Sequence, residues 1–215
     1  MKKLESSLTN MVLVLTLVAV IMGAVLAYMN HLTEDPINEQ KKLALDNGIK
    51  TVMVSDNIQV ANPQEVTQTV DGKELVYTIY DVKDAQGQPL GAAVESTTGG
   101  FGGDLKVLVG FDPEGKILGY TLLEHAETPG LGAKADQWFQ KGQKGDIIGK
   151  TPSEPLIVSK DGGQVDAITA STITSRAFLK AINNAYNAYK ATPVADDKAV
   201  ANEQVAAEET KTVEE

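Results

Sequence analysis

Cysteine is absent from the 215 residues, and the two histidines, His31 and His125, lie far apart in the chain. Without cysteine, the chain cannot ligate an iron–sulfur cluster, build a thiolate zinc site, attach a c-type haem or carry a lipid on a thiol. Two distant histidines are too few for a zinc centre. We therefore expect no metal site.

Basic residues are also scarce, with 19 lysines and arginines against 29 acidic residues and a net charge of −10 at pH 7. A surface that binds nucleic acid is basic, so this balance argues against a nucleic-acid partner. The glycine fingerprint of a dinucleotide site is missing as well, so we expect no NAD site. The length fits one domain with appendages.

Charge is missing altogether between Ser6 and Asn30. The apolar run in this stretch predicts a transmembrane helix at residues 9–30, because a span needs about 20 apolar residues. The alternative is a cleaved signal peptide, whose apolar region is shorter, about 7–15 residues. Since residues 28–30 also make a poor cleavage site, the sequence favours a retained anchor.

Charges on either side of the span indicate its orientation. Two lysines precede it, at positions 2 and 3, and Glu34 and Asp35 follow it. The positive-inside rule then places residues 1–8 in the cytoplasm and the body of the chain outside, and two further lysines at positions 41–42 reduce this bias.

Residues 31–65 are predicted to form a linker helix and a lead-in to the body. Thr33 and Pro36 are typical of a helix start, with the proline at the first helical position. Gly48 suits the end of that helix.

The body, residues 66–190, has the pattern of an α+β domain with a mixed, largely antiparallel sheet and packed helices. A short helix is predicted at 133–140, and a longer one follows the hydroxyl-rich stretch at 166–175. Residues 191–215 are acidic and lack aromatic residues, so we predict a disordered tail there. Segments rich in β-branched residues predict strands at 66–70, 75–82, 90–95, 105–111, 117–124, 156–158 and 164–168, with Asp71-Gly72 as a hairpin dipeptide.

The hydroxyl-rich stretch from Asp166 to Ser175 directly precedes apolar residues at helical spacing. Hydroxyls at a helix start cap free backbone N–H groups. The same N-terminus also attracts anions, phosphate above all. From the residues alone, the stretch is either an ordinary cap or a phosphate site.

Two loops rich in glycine accompany this stretch. The first, residues 99–103, has four glycines around Phe101, which indicates either backbone close to a bulky group or a flexible loop. The second, residues 124–132, follows a strand and contains a tight turn at Thr128-Pro129-Gly130. His125 and Glu127 within it are interpreted as a hinge or a hydrogen-bonding pair, because no nucleophile lies nearby.

Three motifs resemble the G subunit of the Rnf ion-translocating electron-transport complex, a family related to the C subunit of the sodium-pumping NADH:quinone oxidoreductase. These are the 99–103 loop followed by a hydrophobic strand, the string Glu127-Thr-Pro-Gly-Leu-Gly132, and Asp166-x-x-Thr169-Ala-Ser-Thr172. The third is similar to a flavinylation signature in which an aspartate precedes a Ser/Thr-Gly-Ala-Thr run.

The resemblance implies an extracytoplasmic FMN-binding domain that holds FMN covalently, through a phosphoester on Thr172 made by a dedicated flavin transferase. This sequence departs from the signature at Ala170, which replaces glycine, and at Ser171, which replaces alanine. The remaining cofactor contacts implied by the resemblance are Asp166, Thr169, Ala170, Ser171, Thr174 and Ser175 in and directly after the third motif, and Glu127, Thr128, Pro129, Gly130, Leu131 and Gly132 in the second.

The implied function is that of an electron-carrying subunit in a bacterial inner-membrane complex, single-pass, with its domain on the periplasmic side. Its partners would be the other Rnf subunits, and the complex would couple electron transfer between ferredoxin and NAD to ion movement. Two alternatives stay open: the related quinone-reductase subunit, and a membrane-anchored assembly module without a cofactor.

Overall fold

The computed structural model describes residues 8–70 and 72–192. Contacts divide the chain into two units, Met1–Asp46 and Asn47–Glu215. The elements, in chain order, are α1 (Leu8–Met53), β1 (Ile58–Val60), β2 (Gln64–Val70), β3 (Lys73–Asp84), β4 (Pro89–Gly99), β5 (Asp104–Phe111), β6 (Ile117–His125), a 3₁₀ turn (Gly132–Lys134), α2 (Ala135–Trp138), a second 3₁₀ turn (Ser159–Asp161) and α3 (Thr172–Ala191).

The first unit consists, over its described residues, of the larger part of α1. Among the described residues, α1 is the one helix long and apolar enough to cross a membrane, with a mean hydropathy of 2.6 in its most apolar window. Its large apolar side chains, such as Leu15 and Leu26, are exposed. Apolar side chains turned outward along a helix of this length suit a lipid environment.

The predicted separate linker helix is wrong, because α1 runs without a break from Leu8 to Met53 with Pro36 inside it. Thr33 does not cap a new helix. Its hydroxyl donates backwards to the carbonyl oxygens of Met29 at 2.9 Å and Asn30 at 3.2 Å, as threonines inside helices do. Gly48 does not end the helix either, because α1 continues to Met53. A Cβ at Gly48 would lie 3.1 Å from the Leu108 side chain. Glycine permits close packing at this point.

The second unit is built on one six-stranded sheet, in the order β1-β3-β4-β5-β6 with β2 also paired to β3. Every pairing of these strands is antiparallel. Val70 lies opposite Lys73, which confirms the predicted β2–β3 hairpin, although Asp71 of its turn lies outside the described residues. The predicted hairpin of β5 and β6 is confirmed as well.

Helices cover both faces of this sheet. α3 packs its apolar side, including Phe178 and Ile182, into the main core. The end of α1, from Asn47 to Met53, lies on the opposite face, where Cβ atoms at Gly110 or Gly119 would collide with the backbone of Val52. The central strands β4 and β5 are therefore buried between α3 and the end of α1. The loops described below follow the ends of β4 and β6.

Two further predictions need correction. The helix predicted at 133–140 is shorter, a 3₁₀ turn followed by the four residues of α2. The strands predicted at 156–158 and 164–168 do not form, and a single parallel bridge joins Val158 to Val165. The chain turns too tightly for a hairpin ladder, since the Gly163 N–H already donates to the Val158 carbonyl at 3.1 Å. The acidic tail predicted at 191–215 lies, from residue 193 onward, outside the described residues.

Helix α1 ends in a strained conformation. Ser55 N–H donates to the Lys50 carbonyl and Val54 N–H to the Thr51 carbonyl, both at 3.3 Å, which is the hydrogen-bond pattern of a Schellman motif. The residue at the left-handed position of that motif is Val54, with φ of 53°. A β-branched residue is unfavourable there, where glycine is the usual choice.

Replacing Val54 by glycine is expected to stabilise the domain by about 1 kcal/mol, because the left-handed conformation costs an L-residue roughly 1–2 kcal/mol. For a domain of this size, that gain raises the Tm by about 2–4 °C. Thermal unfolding of the full chain in detergent measures it. Val76→Gly is the control: Val76 is also exposed but lies inside β3, where glycine lowers the Tm. An unchanged or lower Tm for Val54→Gly would contradict the strain.

Candidate functional site

The hydroxyl-rich stretch forms a turn that leads directly into α3. Ser171 N–H donates to the Ile168 carbonyl at 3.0 Å, and Ala170 within the turn has φ of 62°. This is the left-handed region, which glycine adopts at least cost. The geometry therefore explains why the flavinylation signature has glycine where this chain has Ala170.

The N-cap of α3 lacks the side-chain hydrogen bond of an ordinary hydroxyl cap, which was one of the two interpretations of the sequence. Ser171 occupies the N-cap position but makes no side-chain hydrogen bond to the helix backbone. Ser175, one turn later, accepts a hydrogen bond from Ile168 N–H and donates one to the Ser171 carbonyl, both at 2.9 Å. Through these two hydrogen bonds, Ser175 joins the turn to the first residues of α3.

The candidate hydroxyls differ in how deeply they are buried. Ser171, Thr174 and Ser175 are 8%, 1% and 0% exposed, and the last two are engaged in hydrogen bonds within the protein. Thr169 is exposed. Thr172 is half-buried and lines a cavity. Of these five side chains, Thr172 combines access from solvent with a place on the cavity wall.

Glu127 connects the three predicted motifs. Its side chain is buried, at 5% exposure. One carboxylate oxygen accepts a hydrogen bond from the Thr174 hydroxyl at 2.8 Å. The other accepts from the backbone N–H groups of Phe101 at 2.6 Å and Gly102 at 3.3 Å. A single carboxylate therefore holds the 99–103 loop and the start of α3 together.

Glycines give this carboxylate its space. A Cβ at Gly100 would overlap the Glu127 oxygen that binds the 99–103 loop, and a Cβ at Gly132 would overlap the oxygen that binds Thr174. Of the two interpretations of the 99–103 loop, the one in which its backbone lies close to a bulky group therefore fits. That group is the Glu127 side chain. The neighbouring His125 takes part through its Nδ1, which accepts the Glu127 backbone N–H at 3.3 Å.

A cavity of about 410 Å³ lies where these segments meet. Its polar wall contains Glu127 and the start of α3. Three apolar side chains at the cavity, Phe101, Leu131 and Ile173, are exposed, Phe101 to 68%. The full lining is Phe101, Glu127, Thr128, Leu131, Gly132, Ala170, Ser171, Thr172, Ile173 and Thr174.

Some predicted site residues lie away from the cavity wall. Pro129 and Gly130 form the predicted tight turn, closed by Leu131 N–H donating to the Thr128 carbonyl at 3.1 Å. Asp166 is exposed and accepts a hydrogen bond from Ser159. Thr169 and Ser175 do not line the cavity either. These residues shape the segments that carry the lining.

Sequence reasoning missed one polar group at the site. The Lys160 ammonium donates a hydrogen bond to the Thr172 hydroxyl oxygen at 3.2 Å. Lys160 sits twelve residues upstream, in the second 3₁₀ turn, which lies between the two segments predicted to be strands at 156–158 and 164–168. No local pattern marks such a contact, because it depends on how the turn folds back onto α3.

Removing the Glu127 carboxylate should destabilise the domain. Glu127→Ala leaves one hydroxyl and two N–H groups without their acceptor in a buried place, at a cost of about 3 kcal/mol. Glu127→Gln keeps the shape and one acceptor oxygen, so we expect a loss of about 1 kcal/mol. Chemical denaturation measures both. Glu154→Ala, at an exposed position, is the control and should change the stability by less than about 0.5 kcal/mol. Equal effects of the two alanine variants would contradict the role of Glu127.

Comparison with known proteins covers both units. The family model of the FMN-binding domain matches residues 100–187, and that of the RnfG N-terminal region matches residues 1–52. The G subunit of the ion-translocating oxidoreductase complex of Vibrio parahaemolyticus is 36% identical over 183 residues, which are 81% of this chain and 86% of that protein. Its namesake from Shewanella baltica is 31% identical over 80% of this chain and 84% of that protein.

A crystal structure of Shewanella oneidensis NqrC matches 62% of this chain and 72% of its own, at 22% identity and a TM-score of 0.41. The matches to the curated relatives confirm the predicted resemblance to the G subunit of an oxidoreductase complex. The region that matches the FMN-binding domain contains residues 100–103 of the first loop, Glu127 and the start of α3. This chain belongs to the G-subunit family of the ion-translocating oxidoreductase complex, and residues 100–187 are its FMN-binding domain.

Proposed function

We propose that this chain holds FMN through a phosphoester on the Thr172 hydroxyl and works as an electron-carrying subunit of a membrane-bound ion-translocating complex. The observation that carries the proposal is the position of Thr172. Its hydroxyl lies at the start of α3, lines the cavity and is contacted by a lysine. Thr174 and Ser175, in contrast, are committed to structural hydrogen bonds.

The residues around Thr172 fit both parts of FMN. A phosphate matches the start of α3, where the first backbone N–H groups have no partner within the helix and the helix dipole favours an anion. A flat aromatic ring matches the apolar side chains of Phe101, Leu131 and Ile173. The cavity of about 410 Å³ is of the size that small-molecule sites in proteins have.

Attachment requires an activated FMN donor, because a threonine hydroxyl is a weak nucleophile. In flavin adenine dinucleotide the FMN phosphate carries AMP as its leaving group. The bond from Thr172 Oγ1 to phosphorus forms, the bond from phosphorus to the AMP oxygen breaks, and the hydroxyl proton passes to a base of the transferase. No electrons are gained or lost in this step, so neither an oxidant nor a reductant is needed.

Bound FMN would supply reversible electron uptake at its isoalloxazine ring, which no side chain of this protein can provide. The chain itself holds and orients the group. Glu127 fixes the cavity wall, α3 presents Thr172, and the exposed Phe101 and Ile173 leave one side of the site accessible to a redox partner.

The location follows from α1 and from the charges that flank it. We propose that α1 anchors the chain in the bacterial inner membrane with the FMN-binding domain in the periplasm. A covalent tether is useful there, since it keeps a cofactor at high effective concentration where a free one would diffuse away. The partners would be the other subunits of the complex, which transfers electrons between ferredoxin and NAD, and a flavin transferase for maturation.

Thr172→Val is expected to abolish covalent flavin, because it removes the acceptor oxygen and keeps the side-chain shape. The full chain is co-expressed with a flavin transferase, denatured on a gel and examined for fluorescence, and the peptide spanning 166–176 is measured by mass spectrometry. Thr169→Val is the matched control, since that hydroxyl is exposed but lies off the cavity wall. It should keep full labelling. Flavin that persists in Thr172→Val, or a mass shift on another residue, would disprove the assignment.

A further inference from the structure

We propose that Lys160 is a positioning residue for attachment at Thr172: its ammonium orients the acceptor oxygen before the phosphoester forms and pairs with the phosphodiester afterwards. This inference rests on the function proposed above. It begins with the contact of 3.2 Å from Lys160 Nζ to Thr172 Oγ1. An ammonium only donates, so it occupies a lone pair of the hydroxyl oxygen and leaves the hydroxyl proton available for transfer.

The turn that carries Lys160 is held by its own backbone. Ser159 N–H donates to the Val165 carbonyl at 2.8 Å, and Asp161 N–H donates to the Val158 carbonyl at 2.9 Å. Gly162 closes the turn with φ of 86°, which is favourable for glycine. Lys160 therefore extends from a defined backbone.

Two side-chain contacts fasten this turn to the attachment region. The Ser159 hydroxyl donates to the Asp166 carboxylate at 3.0 Å. Arg176, one turn into α3, donates to both carboxylate oxygens of Asp161, at 2.7 and 2.6 Å. The residues on either side of Lys160 are thus tied to the two ends of the 166–176 segment, which directs the lysine towards Thr172 between them.

The charged groups around Thr172 have different contacts and therefore different roles. Arg176 lies near the start of α3, but its guanidinium is bound to Asp161 in a bidentate pair. The hydrogen bond from Arg176 also holds the pKa of the Asp161 carboxyl below its usual value. Lys160 is then the cation in contact with Thr172. Asp166, which lies off the cavity wall, acts through Ser159 on the turn.

The chemistry at Thr172 needs a cation at this point. Negative charge would develop on the acceptor oxygen as its proton leaves, and the product of the transfer would be a phosphodiester anion. A positively charged hydrogen-bond donor stabilises both more strongly than it stabilises a neutral hydroxyl. Lys160 is exposed, so water and salt screen this contribution, and we expect a moderate effect.

The test uses the full chain in detergent, purified without flavin, with a flavin transferase and flavin adenine dinucleotide as the donor. Lys160→Gln should slow labelling of Thr172 about tenfold, and Lys160→Arg should restore most of the rate. Lys144→Gln, which removes the same charge from another exposed site, should label at the wild-type rate. All variants should keep the wild-type Tm, because Lys160 is exposed.

Two measurements separate a positioning role from a structural one. Raising the salt concentration should slow labelling of the wild type more than that of Lys160→Gln, since the ammonium contribution is screened. The ³¹P resonance of the attached phosphodiester should shift in Lys160→Gln and move back towards the wild-type position in Lys160→Arg.

The outcomes distinguish the two proposals. If the wild type takes up no flavin at Thr172, the proposed function itself fails. If the wild type is labelled there while Lys160→Gln matches it in rate, salt response and ³¹P resonance, Thr172 remains the acceptor and the role of Lys160 is refuted. Slow labelling accompanied by a lower Tm in Lys160→Gln would also overturn the positioning role, because it would show a structural one.

Discussion

The site depends on one buried carboxylate, that of Glu127. Burying a carboxyl group is costly unless its oxygens are hydrogen-bonded, so the residues that satisfy it must take up one arrangement. Those residues come from the 99–103 loop and from α3, and they lie 25, 26 and 47 positions away in the chain. The requirement to satisfy one group therefore fixes the relative positions of two loops and the first turn of α3. The cavity is the space left between them.

The antiparallel sheet explains why these loops can reach the same carboxylate. β4 ends and β5 begins with Gly99 opposite Asp104, and β6 ends with His125 opposite Leu105. The 99–103 loop and the residues after β6 therefore leave the sheet at the same end of the strands. α3 packs across β4 and β5 and brings its first turn to that end of the strands. There the hydroxyl of Thr98 donates to the Ala177 carbonyl at 2.9 Å. Strand register positions the loops coarsely, and Glu127 completes the arrangement.

The sequence predicts the parts of this protein that are governed by local pattern. The anchor helix, the β2–β3 and β5–β6 hairpins and the long α3 follow from apolar runs and alternation. Prediction from the sequence fails where tertiary structure overrides the strong local preference of a residue. Gly48 and Pro36 are typical of helix ends, yet packing on the sheet and the continuity of α1 override both. The contacts of Glu127 and Lys160 could not be predicted, because each joins segments that only the fold brings together.

The hydroxyl-rich stretch illustrates how the fold gives neighbouring hydroxyls different hydrogen-bond partners. By composition, any of its hydroxyls could cap the helix or accept a phosphate. The fold uses Thr174 to satisfy Glu127 and Ser175 to hold the turn, and both are buried. Ser171 is buried at the N-cap without capping, so its side chain does not satisfy the first N–H groups of α3. A helix start that is built from hydroxyls but not closed by them is suited to a phosphate. Thr172 is the hydroxyl that we propose to carry it.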